Sequence, residues 1–232
     1  MKKIWITGSL LSLGLWSLAQ QKQGSVVYER TSQVRFNIAD NNNGEESKVQ
    51  TRTDKVDLSF GNNQSLWRQS EKENDDNENI SNNGVQIRMI VAGSDDVLYH
   101  NFADAKKTEL RDFFDRKFII DDSIRPLKWK MGEETKTILN HVCRKATATN
   151  TSKRTTMNIE NGVMERKEID DTSRITAWFA TDIPVAAGPA EFQGQLPGLI
   201  LALDINNGKQ VYQAMSISEK SDLASIKAPA GK

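Results

Sequence analysis

The chain has 232 residues, 37% of them apolar, with 31 basic side chains against 31 acidic ones. That balance gives no charge excess to draw it to nucleic acid or an anionic membrane, so neither is expected as a partner. The length suffices for one domain with its own core, and a lone cysteine, Cys143, rules out an intramolecular disulfide.

At the N-terminus, Lys2 and Lys3 precede an apolar run from Ile4 to Leu18, and Ser17-Leu18-Ala19 places small residues where a signal peptidase reads. Residues 1–19 are therefore expected to be a signal peptide cut before Gln20. Residues 20–232 are expected to form a single β domain, exported through the inner membrane to the periplasm, the outer membrane or the medium. The run is shorter than the ~20 apolar residues of a spanning helix. No second long apolar stretch follows, so no transmembrane segment is expected in the mature chain. No cysteine lies near the cut to carry a lipid.

Beyond the leader, apolar residues recur at every second position. Val26, Tyr28, Val34, Phe36 and Ile38 share one parity, as do Val56, Leu58 and Phe60. Val85, Ile87, Met89 and Val91 repeat the pattern, and so do Leu127, Trp129 and Met131. Ile175, Ala177 and Phe179 follow, then Val211, Gln213, Met215 and Ile217. Period 2 means one buried and one wet face, the mark of antiparallel strands. Between Ala103 and Phe114 the reading is a turn at Ala103–Lys107 and a long strand from Thr108. Asn161-Gly162 and Asn206-Asn207-Gly208 are hairpin signals, because Asn and Gly accept the positive φ such turns need; Asn83-Gly84 and Ala92-Gly93-Ser94-Asp95 are similar breaks. Polar loops are expected near 39–49 and 71–84, where the stretches Ala39–Glu46 and Lys72–Asn79 lack large apolar side chains to offset the entropy of ordering them. The fold class that follows is all-β: an antiparallel meander of about ten to twelve strands with one or two short helical turns.

Tests for chemistry find little. A calcium loop opening at Asp75 needs Gly and Glu where Ile80 and Gln86 stand. The only histidines are His100 and His141, and no zinc spacing occurs, so no metal is expected. Met131, Met157, Met164 and Met215 read as core filler. No phosphate-binding glycine loop is present, so no cofactor is expected. His141 and Cys143 lie two apart on a strand, the minimum for a thiol nucleophile. No oxyanion-hole motif accompanies them, so Cys143 reads as a buried thiol and the chain as a non-enzyme.

Three of the five prolines fall in one stretch, Trp178 to Asp204. Pro184 should end the preceding strand, and Pro189, after Gly188, suits the first position of a helical turn. Leu196-Pro197-Gly198-Leu199 fits a type II turn with positive φ at Gly198. Leu199–Ile205 then reads as a strand near the middle of the sheet.

This stretch resembles the GLPGLI family of exported Bacteroidota proteins. Leu196, Pro197, Gly198, Leu199 and Ile200 match the motif that names the family; Gln195 stands where the name has Gly, with Gly194 one place earlier. Trp129 in its threonine–lysine block, Cys143 in its cysteine–lysine–alanine block, and Trp178, Pro184, Gly188, Pro189 and Phe192 extend the resemblance upstream. The Asn161-Gly162 hairpin looks like an insertion. The resemblance implies turn and packing roles for these residues and no catalytic set. The strand pattern is similar to the half-barrel of periplasmic lipoprotein carriers, with a concave apolar face. The leading expectation is an envelope protein that binds an apolar small molecule or lipid on that face. The alternative is a structural or assembly partner of an outer-membrane protein complex, and a thiol-dependent enzyme comes third.

Overall fold

The computed structural model describes residues 21–39, 45–70, 79–82, 85–88, 96–113, 116–160 and 163–230. The expected leader and the breaks expected at 83–84, 92–95 and 161–162 lie outside these residues. Among the described residues thirteen strands follow one another: β1 (Gly24–Ala39), β2 (Glu45–Gly61), β3 (Gln64–Gln69), β4 (Asn79–Asn82), β5 (Val85–Arg88), β6 (Val97–Asn101), β7 (Lys106–Phe113), β8 (Arg116–Ser123), β9 (Lys130–Ile138), β10 (His141–Glu160), β11 (Val163–Ala180), β12 (Leu199–Ile205) and β13 (Gln210–Ser218). Eleven make one antiparallel sheet in the order β8-β7-β6-β3-β2-β1-β13-β12-β11-β10-β9, while β4 and β5 pair by themselves. Among the described residues the only helical pieces are single 3-10 turns at Ala190–Phe192 and Leu223–Ser225.

The topology forces the sheet to curl. Strands β8 and β9 are its opposite edges, yet they are consecutive in the chain, joined by Ile124–Trp129 alone. A flat sheet of this size would hold its edges about 48 Å apart, at roughly 4.8 Å per strand. The connection reaches at most about 25 Å, so the edges must bend toward each other.

The core lies on one face of the sheet and is closed by residues 181–198, which form a plug. Val26, Tyr28, Val56, Leu58, Phe60, Ile175, Ala177, Leu201 and Leu203 from the strands pack with Ile183, Ala187, Phe192 and Leu196 of the plug. Burying each large plug side chain contributes about 1.5–3 kcal/mol. Trp67 sits against Tyr28 and Tyr212, with ring centroids 5.4 and 5.9 Å away. Tyr28 donates its hydroxyl to the Ile200 carbonyl at 2.5 Å, tying β1 to β12 across the core. Strand β12 lies inside the sheet between β11 and β13, as its apolar run suggested.

Several local expectations are corrected. The long strand from Thr108 is a hairpin: β7 and β8 pair from Lys106↔Ser123 to Phe113↔Arg116, with Leu110 opposite Ile119 but Phe118 and Ile120 opposite Arg111 and Glu109. The strand expected from Leu127 begins only at Lys130, since Leu127 and Trp129 are bonded to the plug. Pairing of β1 with β2 continues to Ala39↔Glu45, taking residues 45–49 out of the expected loop. On β13 the buried parity is Tyr212 and Ala214, and Met215 is exposed. Met215 is an extra residue bulging between Ala214 and Ser216, opposite Val27/Tyr28, and it resets which β13 residues face the core. Met131 is exposed as well, so neither it nor Met215 fills the core.

Candidate functional site

The plug explains most of the family-type residues. Strand β11 ends at Ala180, four residues before Pro184. There Val185 N–H donates to the Ile183 carbonyl at 2.8 Å, a three-residue turn centred on Pro184. Pro189 precedes the helical turn as its cap instead of occupying its first position. Ala190 follows at φ +49°, a conformation that a right-handed first helical residue does not have. Phe192 is buried. A Cβ on Gly188 would stand 2.8 Å from the Ile200 side chain.

Gly198 corrects the turn expected at Leu196–Leu199. Its φ is not positive; Gly194 at +76° and Gly208 at +91° are the described glycines in that region. Gly198 is needed for another reason: a Cβ there would lie 2.1 Å from the Ala180 carbonyl oxygen. Pro197 is exposed, while Leu196, Leu199 and Ile200 are buried. The start of β12 is thus pressed onto the end of β11, with Leu199 N–H donating to the Ile183 carbonyl and Ile200 N–H to that of Ala187.

Gln195, the departure from the family name, clamps the edge-to-edge connection. Its Oε1 accepts from Leu127 N–H and from Trp129 Nε1, both at 3.0 Å, while its Nε2 donates to the Glu191 carbonyl. Trp178 is half-buried against the core, with Lys136 Nζ 4.6 Å from its ring centroid and Lys145 Nζ at 5.9 Å.

His141 and Cys143 each engage a different partner. Cys143 is fully buried and its Sγ donates to the backbone carbonyl of His141. Burial, with the nearby Asp182 charge, pushes the thiol pKa up to about 11, so it stays protonated and a poor nucleophile. The His141 ring instead engages Asp182, Nδ1 to Oδ2 at 2.8 Å. No group of three or more His, Cys, Asp or Glu among the described residues has a metal-binding arrangement.

A feature that the one-dimensional pattern did not reveal is a cleft of about 380 Å3 beside the plug. Val56, Trp67, Val97 and Leu98 supply its apolar lining. Arg30, Lys107 and Arg111 face Asp96, Glu109 and Glu191 around it. Arg30 pairs bidentately with Asp54, and Arg111 with Glu109. These residues come from five strands, the residue before β6 and the plug, so only tertiary pairing brings them together. Glu109 and Leu98, for example, are cross-strand partners.

Next to the cleft lies a buried polar cluster. His100 pairs across strands with Ser65 on one side and Lys107 on the other. The Ser65 hydroxyl donates to Oε1 of the plug residue Gln193 at 2.6 Å, and Gln193 Nε2 donates to the Ala190 carbonyl. All three of His100, Ser65 and Gln193 are 0% exposed. Neither His100 ring nitrogen has a hydrogen-bond partner among the described residues. Burial, then the Lys107 charge, lowers the His100 pKa to about 4.

A family model described as a protein of unknown function (Porph_ging) matches residues 129–202. That span holds the plug, Cys143, both of the tryptophans discussed with them and the start of β12. No curated protein matches the chain. The solved structure of PNGF-II in a C2 space group is similar at 17% identity and a TM-score of 0.50, over 87% of this chain and 28% of that one. The likeness is one of fold, and this chain spans about a quarter of the length of that protein. No helix among the described residues is long and apolar enough to cross a membrane.

Proposed function

We propose that this chain is an exported, non-enzymatic β domain of the bacterial cell envelope, a relative of the GLPGLI proteins, that holds a small amphipathic molecule in the cleft beside the plug. The cleft carries the reading. Its volume of about 380 Å3 falls within the size of small-molecule sites, and it joins an apolar wall around Trp67 to a charged rim. The apolar trough itself is occupied by Ile183, Phe192 and Leu196. A lipid-like ligand therefore places only part of its chain on Trp67, Val56 and Leu98 and meets Arg30, Lys107 or Arg111 with its polar end. The buried, protonated Cys143 supports the non-enzymatic part. The positive n-region and small residues before Gln20 support export.

The test uses protein purified from the periplasm without detergent, examined by native mass spectrometry and titrated with a fluorescent fatty acid. Saturable uptake at one site is expected. It should be lost in Glu191→Trp, which fills the cleft from an exposed plug position. Protein that carries no extra mass and takes up no probe would sink the reading, as would uptake unchanged by that substitution.

A second reading, a structural partner in an outer-membrane assembly, is favoured by the β10–β11 hairpin. Its strands remain paired from Thr149↔Arg174 to Glu160↔Val163, past the last residues that either shares with β9 or β12. Such an arm suits contact with another protein. A pull-down from envelope extracts that recovers no outer-membrane protein would count against it.

A further inference from the structure

Strand β8 ends the sheet on one side, and its sequence reads Arg116-Lys117-Phe118-Ile119-Ile120-Asp121-Asp122-Ser123. Three consecutive apolar residues lie on an edge, with Phe118 46% and Ile120 40% exposed. Edges are ordinarily guarded by charge, proline or a bulge. The opposite edge, β9, obeys that rule with Lys130, Glu133, Glu134 and Lys136. Strand β8 instead confines its charges to its ends, basic at the start and acidic at the finish.

We infer that β8 is a homodimer interface, pairing antiparallel with β8 of a second copy of this chain about a twofold axis at Ile119. The charge order is self-complementary in that register. Arg116 meets Asp122 of the second copy, Lys117 meets Asp121, Phe118 meets Ile120, and Ile119 meets itself; each unlike pair occurs twice. An isologous contact of this kind closes after two subunits and does not propagate.

The backbone phase agrees. Ile124 N–H donates to the Ala105 carbonyl at 2.8 Å, continuing the β7–β8 ladder. In an antiparallel ladder bonded residues alternate. The even-numbered residues of β8 therefore bond to β7, and Lys117, Ile119 and Asp121 point their N–H and C=O groups outward. In the proposed register Ile119 meets Ile119 and Lys117 meets Asp121 as hydrogen-bonded pairs. Phe118 and Ile120 form the closer non-bonded pairs, where side chains touch most. The local contacts of the acidic end are solvent-exposed: Asp122 accepts from Arg125, and Asp121 from the Thr108 hydroxyl. Neither contact covers the outer edge. This inference is independent of the cleft, and nothing in it needs a ligand.

Sedimentation velocity over a range of concentrations tests it. The purified chain should move toward twice its mass as concentration rises. Lys117→Asp should abolish the dimer by setting two pairs of aspartates against each other, and adding Asp121→Lys should restore it by reversing both pairs. A separate variant, Ile119→Cys, should form a disulfide-linked dimer under mild oxidation, since the facing Cα atoms of a bonded pair lie about 5.5 Å apart. The buried Cys143 does not compete. A wild-type chain that stays monomeric up to millimolar concentration overturns the inference. So does a dimer indifferent to Lys117→Asp, a double variant that remains monomeric, or an Ile119→Cys chain that does not cross-link.

Discussion

Strand β11 carries both kinds of surface found in this molecule. From Ile175 to Ala180 it runs between β10 and β12, and its core-facing residues Ile175, Ala177 and Phe179 are buried under the plug. From Arg166 to Ser173 its only strand partner is β10, and none of its side chains is buried. The two stretches have the same backbone conformation and continue the same ladder. What differs is whether a third layer of chain exists to pack against. A strand acquires stability from the contacts of its faces more than from its own hydrogen bonds. The short buried stretch should therefore dominate the stability of the fold, and the long exposed one should contribute little.

The largest expected effect tests the buried end. Gly198→Ala forces a Cβ to within 2.1 Å of the Ala180 carbonyl, where backbone has to move. A loss of more than about 3 kcal/mol is expected in denaturant unfolding, at the upper end for overpacking. A near-normal midpoint would show that the plug and β11 are not tightly joined.

Next in size is a pH effect at the other contact of the plug. His100 is neutral in the fold, with a pKa of about 4, whereas in the unfolded chain it titrates near 6.5. Between those values the unfolded chain binds the extra proton and the folded chain does not. Stability should thus be full above about pH 6.5 and fall as pH drops toward 4, by up to about 3 kcal/mol. Thermal unfolding across that window measures it. His100→Leu should flatten the slope; a slope unchanged in that variant would place its origin elsewhere.

The smallest effect belongs to the arm. Joining Thr149 to Arg174 by a two-residue Asn-Gly turn removes the part of the β10–β11 hairpin that pairs with neither β9 nor β12. Because none of the described core residues lies between those two positions, the change should stay within about 0.5 kcal/mol. A large loss of thermal stability would mean that the arm packs on the body after all, and the contrast along β11 would fail.

How much was legible beforehand varies with the range of the interaction. The parity of Val26, Tyr28, Val56 and Leu58 identified core positions correctly, because a strand's faces are set by adjacent residues. The same rule failed on β13, where Met215 is an extra residue bulging between Ala214 and Ser216 and switches the parity, so that Tyr212 and Ala214 face the core. Gly198 was marked as special for the wrong cause. A Pro-Gly pair suggests a positive-φ turn, but the actual constraint is a carbonyl eighteen residues earlier in the chain. Gln195 looked like a departure from a motif and turned out to hold Leu127 and Trp129. The cleft left no trace in the sequence, since Arg30, Trp67, Lys107 and Glu191 share no spacing.

The sequence by itself determined that this chain is an antiparallel β protein, with Asn206-Asn207-Gly208 reversing it at positive φ and a proline-rich stretch interrupting the strands before Leu199. Those properties come from steric limits on neighbouring residues. Only the tertiary structure decided that β8 and β9 become opposite edges, that the six-residue link between them curls the sheet, and that the proline-rich stretch fills the resulting trough. Strand pairing across long separations is chosen by the total burial it achieves, which no local window contains.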